Sequence, residues 1–387
     1  MQTIYLDGAA TVPVDPHALV EYMQATVDYE YNPSSIYKGG VAAKHALAEA
    51  RDKIARIVGC KTDEIFFTSG GTEGNNMILR GFFDHMDRND RGVLITSQIE
   101  HPSILRVAEF IEQNYPNVNV YYLPVDDQGY VDLKSLETTI QEELHDDVSA
   151  KNILVSIQGV NNEIGTMQNM DEIRSIVKRY GAFYHCDAVQ LFPHSSFKIS
   201  DVGFDAMSVS GHKFGAMRGT GFVYISLEMQ DHMSPLLFGG GQEMSLRSGT
   251  EDVAAAISLA NQVDRHRKNI RPIWEYEEYR EYLSFELEAN CIEYYFNSQS
   301  CSPILSLTIP GSSANNIVAC LSELNIFVSA GSACHSYVNE PSHVLKAIGL
   351  SDEDAKSTIR ICLSGVSDDD FIYFVSKLIS YINFLKE

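Results

Sequence analysis

The stretch Ser208-Val209-Ser210-Gly211-His212-Lys213-Phe214 decides how this chain is read. It follows Phe204-Asp205-Ala206-Met207, and its apolar residues alternate with small hydroxyl ones. That alternation predicts a strand over 205–210 that runs into a loop. Lys213 falls where the strand ends. A lysine held there among serine, glycine and histidine is placed to form a Schiff base with an aldehyde cofactor. Ser210 and His212 can donate hydrogen bonds to a phosphate beside it. By itself, Ser-x-x-Lys also fits a solvated surface lysine, so the rest of the chain has to decide.

Upstream, Glu64-Ile65-Phe66-Phe67-Thr68-Ser69-Gly70-Gly71-Thr72-Glu73-Gly74-Asn75-Asn76 reads as a strand, a glycine turn and a helix that opens at Thr72-Glu73. The free amides and dipole of a helix N-terminus suit a phosphate, and Thr72 adds a hydroxyl. A plain strand-to-helix connection with a capping threonine fits equally well. Neither the Walker nor the Rossmann glycine spacing is present.

Between these stretches the pattern alternates. Strands are expected at 92–96, 118–125, 152–158, 182–186, 205–210 and 221–226, with helices at 17–27, 40–58, 133–144 and 170–180. Such alternation predicts an α/β fold with a mainly parallel sheet covered by helices on both faces. In such sheets the site lies at the carboxyl ends of the strands. His101, Asn162, Asp187, Gln190 and Lys213 all fall at predicted strand ends. One by one they also read as a helix cap, a turn or a surface acid. Together, beside a phosphate-type loop, they supply what pyridoxal 5′-phosphate requires: an amine, a carboxylate for the pyridine nitrogen, a donor for the ring oxygen, and a planar group over the ring.

Composition narrows the classes. A chain of 387 residues has room for a large domain and a smaller one. The formal charge of -23 speaks against nucleic acid or an anionic membrane as partner and favours a basic protein partner. No apolar run reaches transmembrane length. The opening residues Met1-Gln2-Thr3-Ile4-Tyr5-Leu6-Asp7 lack the basic-then-apolar signature of a secretory leader. Seven cysteines (60, 186, 291, 301, 320, 334 and 362) form no Cys-x-x-Cys pair, which predicts a reducing compartment, the cytoplasm, and no zinc site.

In this order and combination the motifs resemble the cysteine desulfurases, pyridoxal-phosphate enzymes of the class V aminotransferases, fold type I. The resemblance rests on Tyr5-Leu6-Asp7 with Ala9-Ala10-Thr11, Asn32-Pro33-Ser34-Ser35, Thr68-Ser69-Gly70-Gly71-Thr72-Glu73, Glu100-His101 and Asn161-Asn162-Glu163-Ile164-Gly165. It continues through Asp187-Ala188-Val189-Gln190, Ser210-Gly211-His212-Lys213, Arg247-Ser248-Gly249-Thr250 and Gly331-Ser332-Ala333-Cys334. It implies a large domain over 14–255 with a mainly parallel seven-stranded sheet. A smaller α+β domain, made of 1–13 and 256–387, would carry the cysteine loop.

The resemblance also implies roles. Lys213 would carry the cofactor and move the Cα proton. Asp187 would pair with the pyridinium nitrogen, Gln190 and Asn162 would bond the ring oxygen, and His101 would stack on the ring and serve in acid–base steps. Gly71, Thr72, Ser210 and His212 would hold the phosphate. Thr250 would reach the phosphate of a neighbouring subunit, which implies a homodimer. Arg360 would clamp the carboxylate of L-cysteine, as a guanidinium fork suits. Cys334 would accept the sulfur as a persulfide and pass it to an acceptor or iron–sulfur scaffold protein, with L-alanine as the other product. The interval from Cys334 to Pro341 matches the long-loop, group I members, which serve iron–sulfur cluster assembly. The chain departs from the family at Gly8, where asparagine is common, at Tyr37, where histidine is, and at Gly215-Ala216-Met217-Arg218-Gly219, where Gly-Pro-Lys-Gly is usual.

Two alternatives remain at this point. One is another reaction on the same scaffold, a selenocysteine lyase or an aminotransferase. The other is a non-catalytic sulfur-relay subunit. In the small domain, 253–287 reads as helical, 304–309 as a half-exposed strand, 314–324 as a helix, 327–328 as a strand, and 371–385 as an amphipathic closing helix.

Overall fold

The computed structural model describes residues 3–87, 89–331 and 341–386. β1 (Ile4–Tyr5) opens the chain and stands apart from the main sheet. The strands that follow are β2 (Ile65–Thr68), β3 (Gly92–Ser97), β4 (Val118–Leu123), β5 (Ile153–Ser156), β6 (Phe183–Asp187), β7 (Ala206–Ser210) and β8 (Gly221–Ile225). Among the described residues these seven form one sheet in the order β2-β8-β7-β6-β5-β3-β4. β8 runs antiparallel to β7 and β2, and every other pairing is parallel. The mainly parallel α/β sheet expected from the sequence is therefore present, with an antiparallel edge.

Alternating side chains sort onto two faces, as a pleated strand requires. Val93 and Ile95 of β3, and Ile153 and Val155 of β5, join one apolar core, while Leu94 and Leu154 join the other. Helices Lys38–Val58, Met170–Tyr180 and Val253–Arg267 cover the first face. Gly71–His85 and Pro102–Asn114 cover the second with Met77, Ile78, Phe82, Ile104 and Ile111. Apart from the edge strand β4, whose Asn119 and Tyr121 reach solvent, both faces are thus covered, and the strand ends are left for a ligand. β3 pairs with both β4 and β5, so the order of winding reverses there, and the crevice beyond the carboxyl ends lies beside that reversal.

A further core gathers around short strands: β9 (Tyr295–Phe296), β10 (Ile304–Thr308), β11 (Ile326–Phe327) and β12 (Thr358–Cys362). β12, β10 and β9 form an antiparallel sheet, while β1 pairs with β11 in parallel. Helices Ile273–Ala289, Ala314–Glu323 and Asp368–Lys386 pack around them. Through β1, Ile4 and the nearby Leu6 join this core.

Two expectations are corrected. The helical stretch 253–287 is two helices, because Pro272 has no amide hydrogen to continue a ladder and instead caps Ile273–Ala289. The strand at 304–309 is buried on both faces, not half exposed. Its polar side chains face protein: Asn297 Nδ2 donates to Ser306 Oγ at 2.9 Å and to Thr308 Oγ1 at 3.0 Å, and Thr308 Oγ1 lies 2.7 Å from Thr358 Oγ1.

At the centre of the main sheet, His185 of β6 is wholly buried, its Nδ1 2.9 Å from Ser156 Oγ and its Nε2 3.1 Å from Ser208 Oγ. Burial pushes its pKa from the ordinary 6.5 down to about 3. The unfolded chain therefore takes up a proton near 6.5 that the folded chain refuses until near 3. The stability this ring contributes is whole above about 6.5 and is lost as pH falls toward 3. Buried His194 acts in the same direction. The melting temperature is expected to drop between about pH 7 and pH 4, with a shallower drop in His185→Gln. Parallel curves for the two proteins would clear His185 of this role.

Candidate active site

A cavity of about 290 Å³ lies at the carboxyl ends of the main sheet. Each strand delivers its side chain for a local reason. β7 ends in the tight turn Gly211–Lys213, which points Lys213 into the cavity. Its Nζ donates to the carbonyl oxygens of Ala9 at 2.7 Å and Ala10 at 2.9 Å. Asp187 is the last residue of β6 and is buried. Its Oδ2 accepts from Asn75 Nδ2 at 2.7 Å and its Oδ1 from the Val189 amide at 3.0 Å. Three residues on, Gln190 Nε2 donates to Ala9 O at 2.8 Å, and its Oε1 is buried without a partner.

His101 caps the helix Pro102–Asn114, and its Nδ1 accepts the Ser103 amide at 3.1 Å. The neutral ring therefore carries its proton on Nε2. Burial lowers the His101 pKa, Asp187 pulls the other way, and Lys213 adds to the lowering. Next to it, Glu100 is buried with Oε1 accepting from Ser97 Oγ at 2.6 Å, and both oxygens face the Gln158 amide. Burial pushes the Glu100 carboxyl up to about 8.

The helix Gly71–His85 begins at the cavity wall, with Gly70 before it at φ 146°. A side chain on Gly71 would bring a Cβ within 2.5 Å of Val189 Cγ2, so only glycine lets the helix start this close. Its first amides and Thr72 share the wall with Ser210 and His212. The His212 Nδ1 is 3.0 Å from Thr11 Oγ1, and burial followed by the charge of Lys213 pushes its pKa to about 4. From the other side comes Arg360 of β12, only 2% exposed. Its Nη2 donates to Asp7 Oδ1 at 2.7 Å and its Nη1 to the Asn162 carbonyl at 2.9 Å, while Nε has no partner. Gly8, one of the departures noted above, leaves room for Cys362: a Cβ there would stand 3.1 Å from its Sγ.

Of the expected site residues, Gly71, Thr72, His101, Asn162, Asp187, Gln190, Ser210, His212, Lys213 and Arg360 line this one cavity. Thr250 does not; it is exposed and lines a second cavity with Ser69 and Arg247. Cys334 lies outside the described residues. Sequence reasoning missed Asn75, Ser103, Gln158 and the carbonyls of Ala9 and Ala10. Asn75 carried a usable signal: four residues after Gly71, it had to share that residue's helix face.

The residues fit pyridoxal 5′-phosphate. A buried carboxylate, an amine, unspent amide oxygens on Asn75 and Gln190, and a helix start bared by glycine meet in one enclosure. Asp187 would hold the ring nitrogen, Lys213 the aldehyde carbon, and Gly71, Thr72, Ser210 and His212 the phosphate.

The family model described as aminotransferase class-V matches residues 4–370. A cysteine desulfurase IscS from Dictyoglomus turgidum is 36% identical over 365 residues, spanning 93% of this chain and 89% of the relative. A solved NifS-like protein superposes with a TM-score of 0.87 at 30% identity, covering 99% of this chain and 100% of its own. The solved structure of SspA in complex with cysteine superposes with a TM-score of 0.78 at 32% identity, over 93% of this chain and 99% of its own.

After borohydride reduction of the loaded protein, the phosphopyridoxyl mass is expected on the peptide that contains Lys213. Lys213→Ala is expected to carry no reducible adduct. An adduct mapped to a different lysine would refute this placement of the cofactor.

Proposed function

The chain belongs to the aminotransferase class-V family, and we propose that it is a pyridoxal-phosphate-dependent cysteine desulfurase, converting L-cysteine to L-alanine and keeping the sulfur as a persulfide on Cys334. The observation that carries the reading is the convergence of Lys213, Asp187, His101 and Arg360 on one cavity. These are an amine, an acid, a ring and a guanidinium, the set an α-amino acid and this cofactor need together. The relatives named cysteine desulfurase, and the relative solved with cysteine, supply the substrate.

The cofactor, when bound, supplies an aldehyde carbon that joins amines and a cationic ring that withdraws electrons from the substrate Cα. Asp187 holds the proton at the ring nitrogen through an oxygen pair kept in place by Asn75 and the Val189 amide. Arg360 orients the substrate carboxylate with the guanidinium edge that Asp7 and Asn162 leave unspent. Lys213 Nζ takes the proton from the substrate Cα, and His101, neutral with its proton on Nε2, donates where negative charge gathers. The thiolate of Cys334 attacks the substrate sulfur. An S–S bond forms, the Cβ–S bond breaks, and its electron pair stays on carbon, which is protonated to give alanine.

The same proposal includes a homodimer, with Thr250 completing the partner's site. Supporting it, Val20, Met23 and Val27 lie on one exposed face of the helix Pro16–Asp28, and Phe238 is 84% exposed. In this reading the chain divides into a large part and a small part, which the sequence put at 14–255 and at 1–13 with 256–387, but the boundary between 255 and 256 would cut a continuous helix. The helix Val253–Arg267 stays packed in the first core as far as Val263, which puts the joint near 268–272. Sulfur would pass to an acceptor or iron–sulfur scaffold protein in the cytoplasm. No helix of the described residues is long and apolar enough to cross a membrane.

Incubated with cysteine and no reductant, the protein is expected to gain about 32 Da on the peptide containing Cys334. Cys334→Ala should bind cysteine yet release no alanine. Full alanine production by that variant, or the added sulfur on Cys301, Cys320 or Cys362, would defeat the mechanism. In Asp187→Ala, turnover should fall by about two orders of magnitude or more, even where cofactor stays bound; unchanged turnover removes Asp187 from its role.

A further inference from the structure

Three consecutive non-glycine residues, Glu243, Met244 and Ser245, hold positive φ angles of 47°, 53° and 70°. Side chains resist that region, so a run of three gathers strain into one turn that its surroundings must hold. The hold is visible. Glu243 is 5% exposed, and its two carboxylate oxygens take Arg51 Nη2 at 2.5 Å and Nη1 at 2.7 Å. The Phe67 amide of β2 donates to the same carboxylate at 2.8 Å, and Arg51 reaches the Ile65 carbonyl as well. Beyond the turn Leu246 is buried, and Arg247 Nε pairs with Glu73 Oε1 at 2.8 Å. The segment is pinned at both ends, and Thr250 then emerges exposed. A buried ion pair is a poor source of stability, but a two-point fork fixes direction.

We propose that Glu243 is a positioning residue that acts across the subunit interface: by clamping the strained turn 243–245 it sets where Thr250 stands, and so completes the cofactor cavity of a second copy. The inference rests on the reading that Thr250 serves the neighbouring subunit. Within one chain, neither the groups that Glu243 holds, Arg51 and Phe67, nor Ile65, which Arg51 reaches, line the cavity around Lys213, and Thr250 does not either. The clamp's effect on a chain's own site is therefore indirect, while toward Thr250 the segment is tied back by the Gly249 amide, which donates to Gln242 Oε1 at 3.0 Å.

The test uses mixed dimers purified through two different tags. The Glu243→Gln homodimer should keep its dimer mass and release cofactor more readily, with a dissociation constant raised about tenfold. Paired with a Lys213→Ala chain, the Glu243→Gln chain keeps the only site with a lysine, and that site receives Thr250 from a chain with a native clamp. It should hold cofactor as tightly as wild type and turn over at about half the rate of the wild-type dimer. A mixed dimer as weak as the Glu243→Gln homodimer overturns the proposal. Thr250→Ala, paired in the same way, tests the underlying reading: if its mixed dimer recovers while that of Glu243→Gln does not, the inference alone fails. If the Thr250→Ala mixed dimer does not recover, the reading itself fails. Adding Ser245→Gly to Glu243→Gln should restore most cofactor retention, because glycine holds the turn without a clamp. Should Glu243→Gln not fold, Arg51→Gln removes the clamp from its other side and must give the same recovery when mixed.

Discussion

One guanidinium ties the molecule together. Arg360 leaves β12 of the small core, is 2% exposed, and binds Asp7 from the first residues of the chain and the Asn162 carbonyl from the turn after β5. Three segments far apart in sequence meet on one side chain. Stranding one partner of a buried pair costs about 3–5 kcal/mol, so the contact is a strong constraint on how the two cores sit. The same side chain lines the cavity. Whatever fixes the cores against each other also fixes the group that would meet a substrate carboxylate.

Electrostatics around that contact explain which groups are free to move protons. Within reach of the cavity, His101 and His212 are held neutral by burial, and the Glu100 carboxyl is pushed up to about 8. Basic Lys213 and Arg360 and acidic Asp187 and Asp7 stand beside them. Each acid has a hydrogen-bonded partner that fixes its direction, Asn75 for Asp187 and Arg360 for Asp7. His101 and Lys213 both line the cavity and are the two groups to which the proposed mechanism gives proton transfer.

Much of this was legible in the sequence. Buried strands are mostly apolar or small, so the polar residue at the end of each stands out: His101 beyond β3, Asn162 beyond β5, Asp187 on β6, Lys213 beyond β7. Other parts left no linear trace. The Ala9 and Ala10 carbonyls are backbone groups with no side-chain signature. Ser103 and Gln158 matter only because β3 and β5 are neighbours, a fact of strand order, not spacing. β10 looked half exposed because Ser306 and Thr308 alternate with Leu305 and Leu307, and only the folded chain brings Asn297 and Thr358 to that face. The strained turn at 243–245 was invisible for the opposite reason: nothing in Glu-Met-Ser predicts positive φ, since the conformation is imposed by Arg51 and the Phe67 amide from outside it.

The carbonyl of Ala9 accepts both Lys213 Nζ and Gln190 Nε2, while Asp7, two residues earlier, holds Arg360. A shift of residues 7–10 would move the Lys213 amine, the Gln190 amide and the Arg360 guanidinium at once. These residues follow β1, which is paired to β11 in the small core, so the large sheet's lysine is positioned by a segment the small core anchors. Groups that share one backbone support do not contribute independently, and substitutions among Asp7, Gln190, Lys213 and Arg360 should combine non-additively. The site belongs to neither core alone.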